Sequence, residues 1–198
     1  MNIRLTVILL MLIVSPARGI VDPSPDVIGI YFDENAMSVE ANVPANSPFS
    51  LFAVLTSPTE TEVTGFEFGY AFVPPPTFAG MVIRLATQFP PGIIIIDPPL
   101  DPLAGSYSIN LPVPLPAADA VVLMGWQYML LGNFSVHFNL GPADPGMIPG
   151  GMPGYWSLQG VVPTDLAETC FGTGARANEF CPLALEPHSF GRMKCLYR

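Results

Sequence analysis

Two histidines, His137 and His188, three cysteines, Cys170, Cys181 and Cys195, and 16 carboxylates are the groups with which these 198 residues could do acid–base, nucleophilic or metal chemistry. Their spacing points away from catalysis. The chain has no GxSxG elbow, no HExxH helix signature and no phosphate-cradling glycine loop. Glu60, Glu62 and Glu67 are the carboxylates from which a glycosidase pair would be drawn, but closeness in sequence does not build a cleft. His137 sits between Ser135 and Asn139 in an alternating apolar run, where a histidine belongs to the face of a strand. None of the cysteine spacings is of the Cys-x2-Cys type that a zinc centre uses, so neither metal nor cofactor is expected. Asp33-Glu34 and the Asp97–Asp101 stretch are acidic loop sites without a calcium-loop pattern.

Flat aromatics beside amides and hydroxyls offer a different chemistry. Trp126 and Tyr128 alternate with Gln127, and Tyr155-Trp156 follow a long glycine- and proline-rich stretch. A sugar ring needs an apolar plane flanked by hydrogen-bonding groups. Trp126, Tyr128, His137, Asn139, Tyr155 and Trp156 are therefore the candidate ligand-binding residues. Core packing is the competing reading of the same aromatics.

The elements that would position these residues are strands. The stretch Ala120–Leu140 (AVVLMGWQYMLLGNFSVHFNL) lacks Asp, Glu, Lys and Arg. Its Gly132-Asn133 pair is the signal of a tight two-residue hairpin joining Val121–Leu131 to Phe134–Leu140. In that pairing Leu123, Met129, Leu131, Phe134, Val136, Phe138 and Leu140 share the buried face. Trp126, Tyr128 and Leu130 share the other with Ser135, His137 and Asn139. Further strands are expected over Val27–Phe32, Ser38–Val43, Phe49–Thr56, Val63–Val73, Met81–Thr87, Gly92–Ile96, Ser106–Val113 and Tyr155–Val162. In Val63–Val73 the residues Phe66, Phe68, Tyr70 and Phe72 alternate, which marks a core face packed on a second sheet. Gly141–Gly154 is a long loop, either functional or mobile. No stretch sustains a helical period. The expected architecture is all-β: a two-sheet antiparallel sandwich of about nine strands, of the immunoglobulin, cohesin or jelly-roll kind.

Half of the residues are hydrophobic and 12% are charged, so a core is affordable and disorder is not expected despite 24 prolines and 18 glycines. Leu5–Val14 (LTVILLMLIV) is an apolar run too short to span a bilayer, followed by Ala17-Arg18-Gly19. Residues 1–19 read as a signal peptide cleaved after Gly19, leaving 20–198 as one domain with no membrane span. Cleavage would remove Arg4 and Arg18 and carry the net charge from −9 to −11. A body so acidic argues against nucleic acid and anionic membranes as partners. In an exported chain Cys170 and Cys181, which bracket FGTGARANEF, are the expected disulfide, worth about 3 kcal/mol if unstrained.

Two resemblances rest on particular stretches. Phe49–Leu55, Gly65-Phe66-Glu67-Phe68, Ala120–Leu123 and Phe134–Leu140 together resemble the strand order of cohesin-like and carbohydrate-module-like sandwiches. No cohesin binding signature accompanies them, so dockerin recognition is not implied. Separately, the opening Ile28-Gly29-Ile30-Tyr31-Phe32-Asp33-Glu34 and the ending Ser189–Arg198 resemble uncharacterised exported bacterial proteins with an IGIYFD-like start and a WGxIKxLYR-like finish. Phe190 stands where those have Trp, and Met193 replaces an aliphatic residue. That ending, with Phe190, Gly191, Lys194, Leu196, Tyr197 and Arg198, reads either as a last strand with a charged edge or as a sorting tag. The combined expectation is a bacterial, secreted or surface-associated, non-catalytic protein. Its partner would be a protein or a polysaccharide at the cell surface, bound in the polysaccharide case through exposed aromatics.

Overall fold

The computed structural model describes residues 21–95, 99–169 and 172–180. The expected signal peptide, the Cys170–Cys181 pairing, Cys195, His188 and the C-terminal motif lie outside the described residues.

Alternation of apolar and small or polar side chains produces long strands. They are β1 (Val27–Tyr31), β2 (Glu40–Ala41), β3 (Pro48–Thr56), β4 (Glu62–Val73), β5 (Val82–Gln88), β6 (Ala104–Pro116), β7 (Ala120–Leu130) and β8 (Val136–Gly141). Shorter pieces follow: β9 (Gly154–Ser157), β10 (Gly160–Pro163), β11 (Asp165–Leu166), β12 (Glu168–Thr169), β13 (Gly172–Thr173) and β14 (Ala175–Ala177). One sheet has the order β11-β1-β3-β7-β5. The other has the order β10-β9-β4-β8-β14-β2, with β6 along the opposite side of β4. Pairing is antiparallel except for the short edge contacts β1–β11 and β14–β2, which are parallel. The strands outnumber the expected nine because the segment after the long loop breaks into two- to four-residue pieces.

The core lies between the two sheets and is aromatic. Phe66, Phe68, Tyr70 and Phe72 of β4 are buried on one face, as their alternation requires. Trp126 of β7 reaches across and meets Phe72 (5.7 Å between centroids), Tyr70 (5.8 Å), Phe68 (6.2 Å) and Tyr107 of β6 (6.3 Å). Edge-on and tilted contacts of this kind add to the area each ring buries.

The expected strand Tyr155–Val162 is instead two short antiparallel strands, β9 and β10, and Met129 and Leu131, expected on the buried face, are partly buried and exposed. Two larger expectations are also overturned. Strands β7 and β8 do not form a hairpin: β7 pairs with β3 and β5, whereas β8 pairs with β4 and β14 in the other sheet. Neither Gly132 nor Asn133 takes the positive φ that a two-residue turn needs. The chain crosses between sheets instead. Leu131 N–H donates to the Met81 carbonyl (2.8 Å), and Phe134 stacks on Phe78 at 4.6 Å. Gly92–Ile95, the described part of the expected GIIII strand, is not a strand. Pro90 and Pro91 supply no N–H for a ladder, and Gly92 turns the chain at φ 85°. The segment straps the margin of the sandwich between β5 and β6.

Truncating a ring at the centre of this layer tests it. Phe72→Ala is expected to lower unfolding stability by about 3–5 kcal/mol in a urea titration. Val113→Ala, at an exposed edge position, is expected to stay within about 0.5 kcal/mol.

Candidate functional site

The candidate ligand residues separate. Trp126 and Tyr128 are 1% and 0% exposed, inside the core, so they form no outer platform. Tyr155 is also fully buried, with its hydroxyl donating to Asp26 Oδ1 at 2.7 Å. Burial, then that hydrogen bond, pushes the Tyr155 phenol up to about 12. Asp26 also accepts from the Thr59 amide and hydroxyl, so this group pins β9 to the start of β1 and to the β3–β4 turn. His137 and Asn139 share the outer face of β8, where His137 Nε2 meets Glu179 Oε2 at 3.0 Å. Trp156 lies on the outer face of the same sheet, but at the far end of β4. It pairs with Gly65, whereas His137 pairs with Val73. Eight residues of strand, about 26 Å, separate those positions. His137 and Trp156 therefore belong to different surfaces. The shared aromatic and polar face required β7 and β8 to be neighbours, and they are not.

Residues that patterning did not single out fix the loops. Glu67 points outward from β4 and is 1% exposed because the loop between β8 and β9 lies over it. Its Oε1 accepts the N–H groups of Met147 (2.7 Å) and Ile148 (3.0 Å), while its Oε2 has no partner among the described residues. Gly69, also on that face, has no side chain where the Pro142 carbonyl approaches. The long Gly141–Gly154 stretch is thus a latched loop that displays Met147, 67% exposed, and buries Ile148. Beside it a shallow depression of about 490 Å³ is lined by Gly69, Ala71, Ser106, Gly141 and Asp144 among others.

A second fastening closes the β5–β6 margin. Arg84 stands opposite Tyr128 on the inner side of β5, next to a bulge at Leu85. Its guanidinium donates to the Tyr70 hydroxyl at 2.9 Å and to the Pro99 carbonyl. Tyr70 donates to the Asp101 carbonyl and Tyr128 to the Pro102 carbonyl, each at 2.7 Å. Burial first, and neighbouring Tyr107 next, hold the Tyr70 phenol up at about 12, against the opposing pull of Arg84. Burial likewise holds Tyr128 far above the usual phenol range. Both are neutral donors at physiological pH, as these bonds require. The segment 99–103 is therefore bound at three carbonyls and presents Leu100 at 87% exposure, and Ile94, in the described stretch 89–95, is 88% exposed.

The chain is similar to cohesin modules. The sixth cohesin of scaffoldin B from Acetivibrio cellulolyticus, solved in complex with a Cel5 dockerin mutant, is 10% identical over 79% of this chain and 100% of that one, with a TM-score of 0.49. The cohesin module of a family 33 glycoside hydrolase from Clostridium perfringens is 13% identical over 78% of this chain and 99% of that one, with a TM-score of 0.49. No family model and no curated protein matches the sequence.

The acidic groups expected in loops serve as backbone acceptors. Asp33 accepts the N–H groups of Asn35 and Met37, and Asp101 accepts that of Leu103. Among the described residues no group of three or more His, Cys, Asp or Glu side chains is placed to hold a metal ion. Asp22 accepts the N–H groups of Ser24 and Glu168, both at 3.0 Å. Burial works against its charge, but these bonds outweigh burial and hold the carboxyl below its usual range. A depressed carboxyl contributes stability that is present at neutral pH and lost as pH falls through its folded-state pKa. The stability deficit of Asp22→Asn, read from urea melts, is expected to be largest near neutral pH and to shrink below the ordinary carboxylate range.

Proposed function

We propose that the chain is an exported, non-catalytic module that binds a protein partner through the strapped β5–β6 margin. The observation that carries this reading is the strap itself. Leu100 stands almost fully in water on backbone tied down by Arg84, Tyr70 and Tyr128, and Ile94 is equally exposed at the same margin. Holding apolar groups in place before binding removes an ordering cost from association, and exposed aliphatics gain most from being covered.

The polar side chains support the non-catalytic part. Glu67, Asp22, Asp26 and Asp33 accept backbone N–H groups that hold loops and turns, and His137 is paired with Glu179. Arg84 and Arg176 are the only Lys or Arg side chains among the described residues. Arg84 is spent on the strap, so the body offers a partner a mainly acidic surface. A partner with a neutral or basic contact face suits it. Export rests on the apolar run Leu5–Val14 and the small residues before Ile20, and the basic ending is read as a C-terminal strand or sorting tag.

The test compares wild type with Ile94→Ser/Leu100→Ser. Each would be used for affinity capture from the extracellular and envelope fractions of the native host, followed by titration with the purified captured protein. The proposal expects one saturable partner whose Kd rises at least about tenfold in the double variant. A partner bound equally by both proteins would place binding elsewhere and overturn it. The intact mass of the protein recovered from the same fractions is expected to begin at Ile20.

A further inference from the structure

One row of residues crosses four strands on the outer face of the second sheet. Asn110 of β6 pairs with Gly65 of β4, Gly65 with Trp156 of β9, and Trp156 with Val161 of β10. Four strands place the ends of this row about 14 Å apart. Gly65 makes the row flat. A Cβ there would stand 2.9 Å from Trp156 Cε3 and 3.2 Å from Asn110 Oδ1, so the indole edge and the amide meet over bare backbone.

Trp156 is partly exposed and, unlike Trp126, stands outside the inter-sheet core cluster. Among the described residues neither its indole N–H nor the exposed Asn110 amide has a hydrogen-bond partner. Val161, 43% exposed, extends the apolar plane on the side away from Asn110. The neighbouring outward position on β6 is the exposed Ser108. The row therefore combines a flat apolar surface with a free indole donor, a free amide and a nearby hydroxyl.

We propose that this row is a binding site for a neutral oligosaccharide of equatorial pyranose units. Such a ring presents axial C–H groups on its flat face and hydroxyls around its rim, matching the indole plane and the flanking Asn110 and Trp156 N–H groups. Charge selects within the class. The row carries no Lys or Arg, and the chain has a net charge of −9, so a uronic or sulfated glycan would be repelled. A partner protein would leave the Asn110 amide and the indole N–H to be satisfied or desolvated at cost, whereas sugar hydroxyls satisfy both. The site uses residues other than Ile94 and Leu100 and does not depend on the protein-partner reading.

The experiment is calorimetric titration of the full exported chain with cellohexaose and with chitohexaose, and with polygalacturonate as the anionic counterpart. Saturable binding of at least one neutral hexasaccharide is expected with a Kd of about 1 mM or tighter. Trp156→Ala is expected to weaken it at least about tenfold and Asn110→Ala several-fold, with circular dichroism unchanged because neither side chain belongs to the core. Absence of saturable heat with both neutral probes would overturn the proposal. So would undiminished binding by Trp156→Ala, or stronger binding of polygalacturonate. If Trp156→Ala fails to fold, Asn110→Ala decides alone.

Discussion

The packing of Trp126 against the β4 aromatics is the contact on which the rest of the structure depends. Four rings from β4 and β6 close around one indole from β7, and that engagement forces β4 and β7 into opposite sheets. Once they face each other, the chain leaving β7 cannot turn back beside it without carrying Phe138 away from Phe72, its neighbour at 5.0 Å. The crossover at Leu131–Ser135 follows from this. So does the placing of β8 against β4, which puts His137 and Asn139 on the outside.

The same packing sorts the polar chemistry. An aromatic core with Tyr70 and Tyr128 near its margin has hydroxyls that must find acceptors. They find them in the carbonyls of Asp101 and Pro102, and Arg84 adds Pro99. The strap is thus the means by which Tyr70 and Tyr128 find acceptors, which the buried hydroxyls of Tyr31 and Tyr107 do not among the described residues, and the display of Leu100 is a by-product of that fastening. On the opposite face of β4 the sequence places Gly65, Glu67 and Gly69. Each small or acceptor-bearing position admits something from outside: Trp156 over Gly65, the latched loop over Glu67 and Pro142 at Gly69.

Much of this was legible in the sequence, in a form that period-two patterns allow. The alternation in β4 gives its buried aromatic face directly, and β1, β3, β5, β6 and β7 fall close to where composition puts them. Alternation assigns residues to faces but does not name a strand's neighbour. Gly132-Asn133 suggested the wrong neighbour for β7, and with it the wrong face for Trp126 and Tyr128. The described part of the Ile-rich run after Pro91, Ile93–Ile95, has strand composition without strand geometry, because Pro90, Pro91 and a left-handed Gly92 turn the chain out of β5. Glu67 and its loop amides lie about eighty positions apart, a separation that no local pattern reports. Trp156 was legible as a candidate, whereas its seat on Gly65 required the pairing of β4 with β9.

Everything above turns on the partition of the two tryptophans, Trp126 sealed between the sheets and Trp156 on the surface. Fluorescence of Trp156→Phe, which leaves Trp126 as the only indole, tests it most directly. Blue-shifted emission and strong resistance to acrylamide quenching are expected, with the quenchable component of the wild type removed. Red-shifted, readily quenched emission from Trp126 in that variant would contradict it.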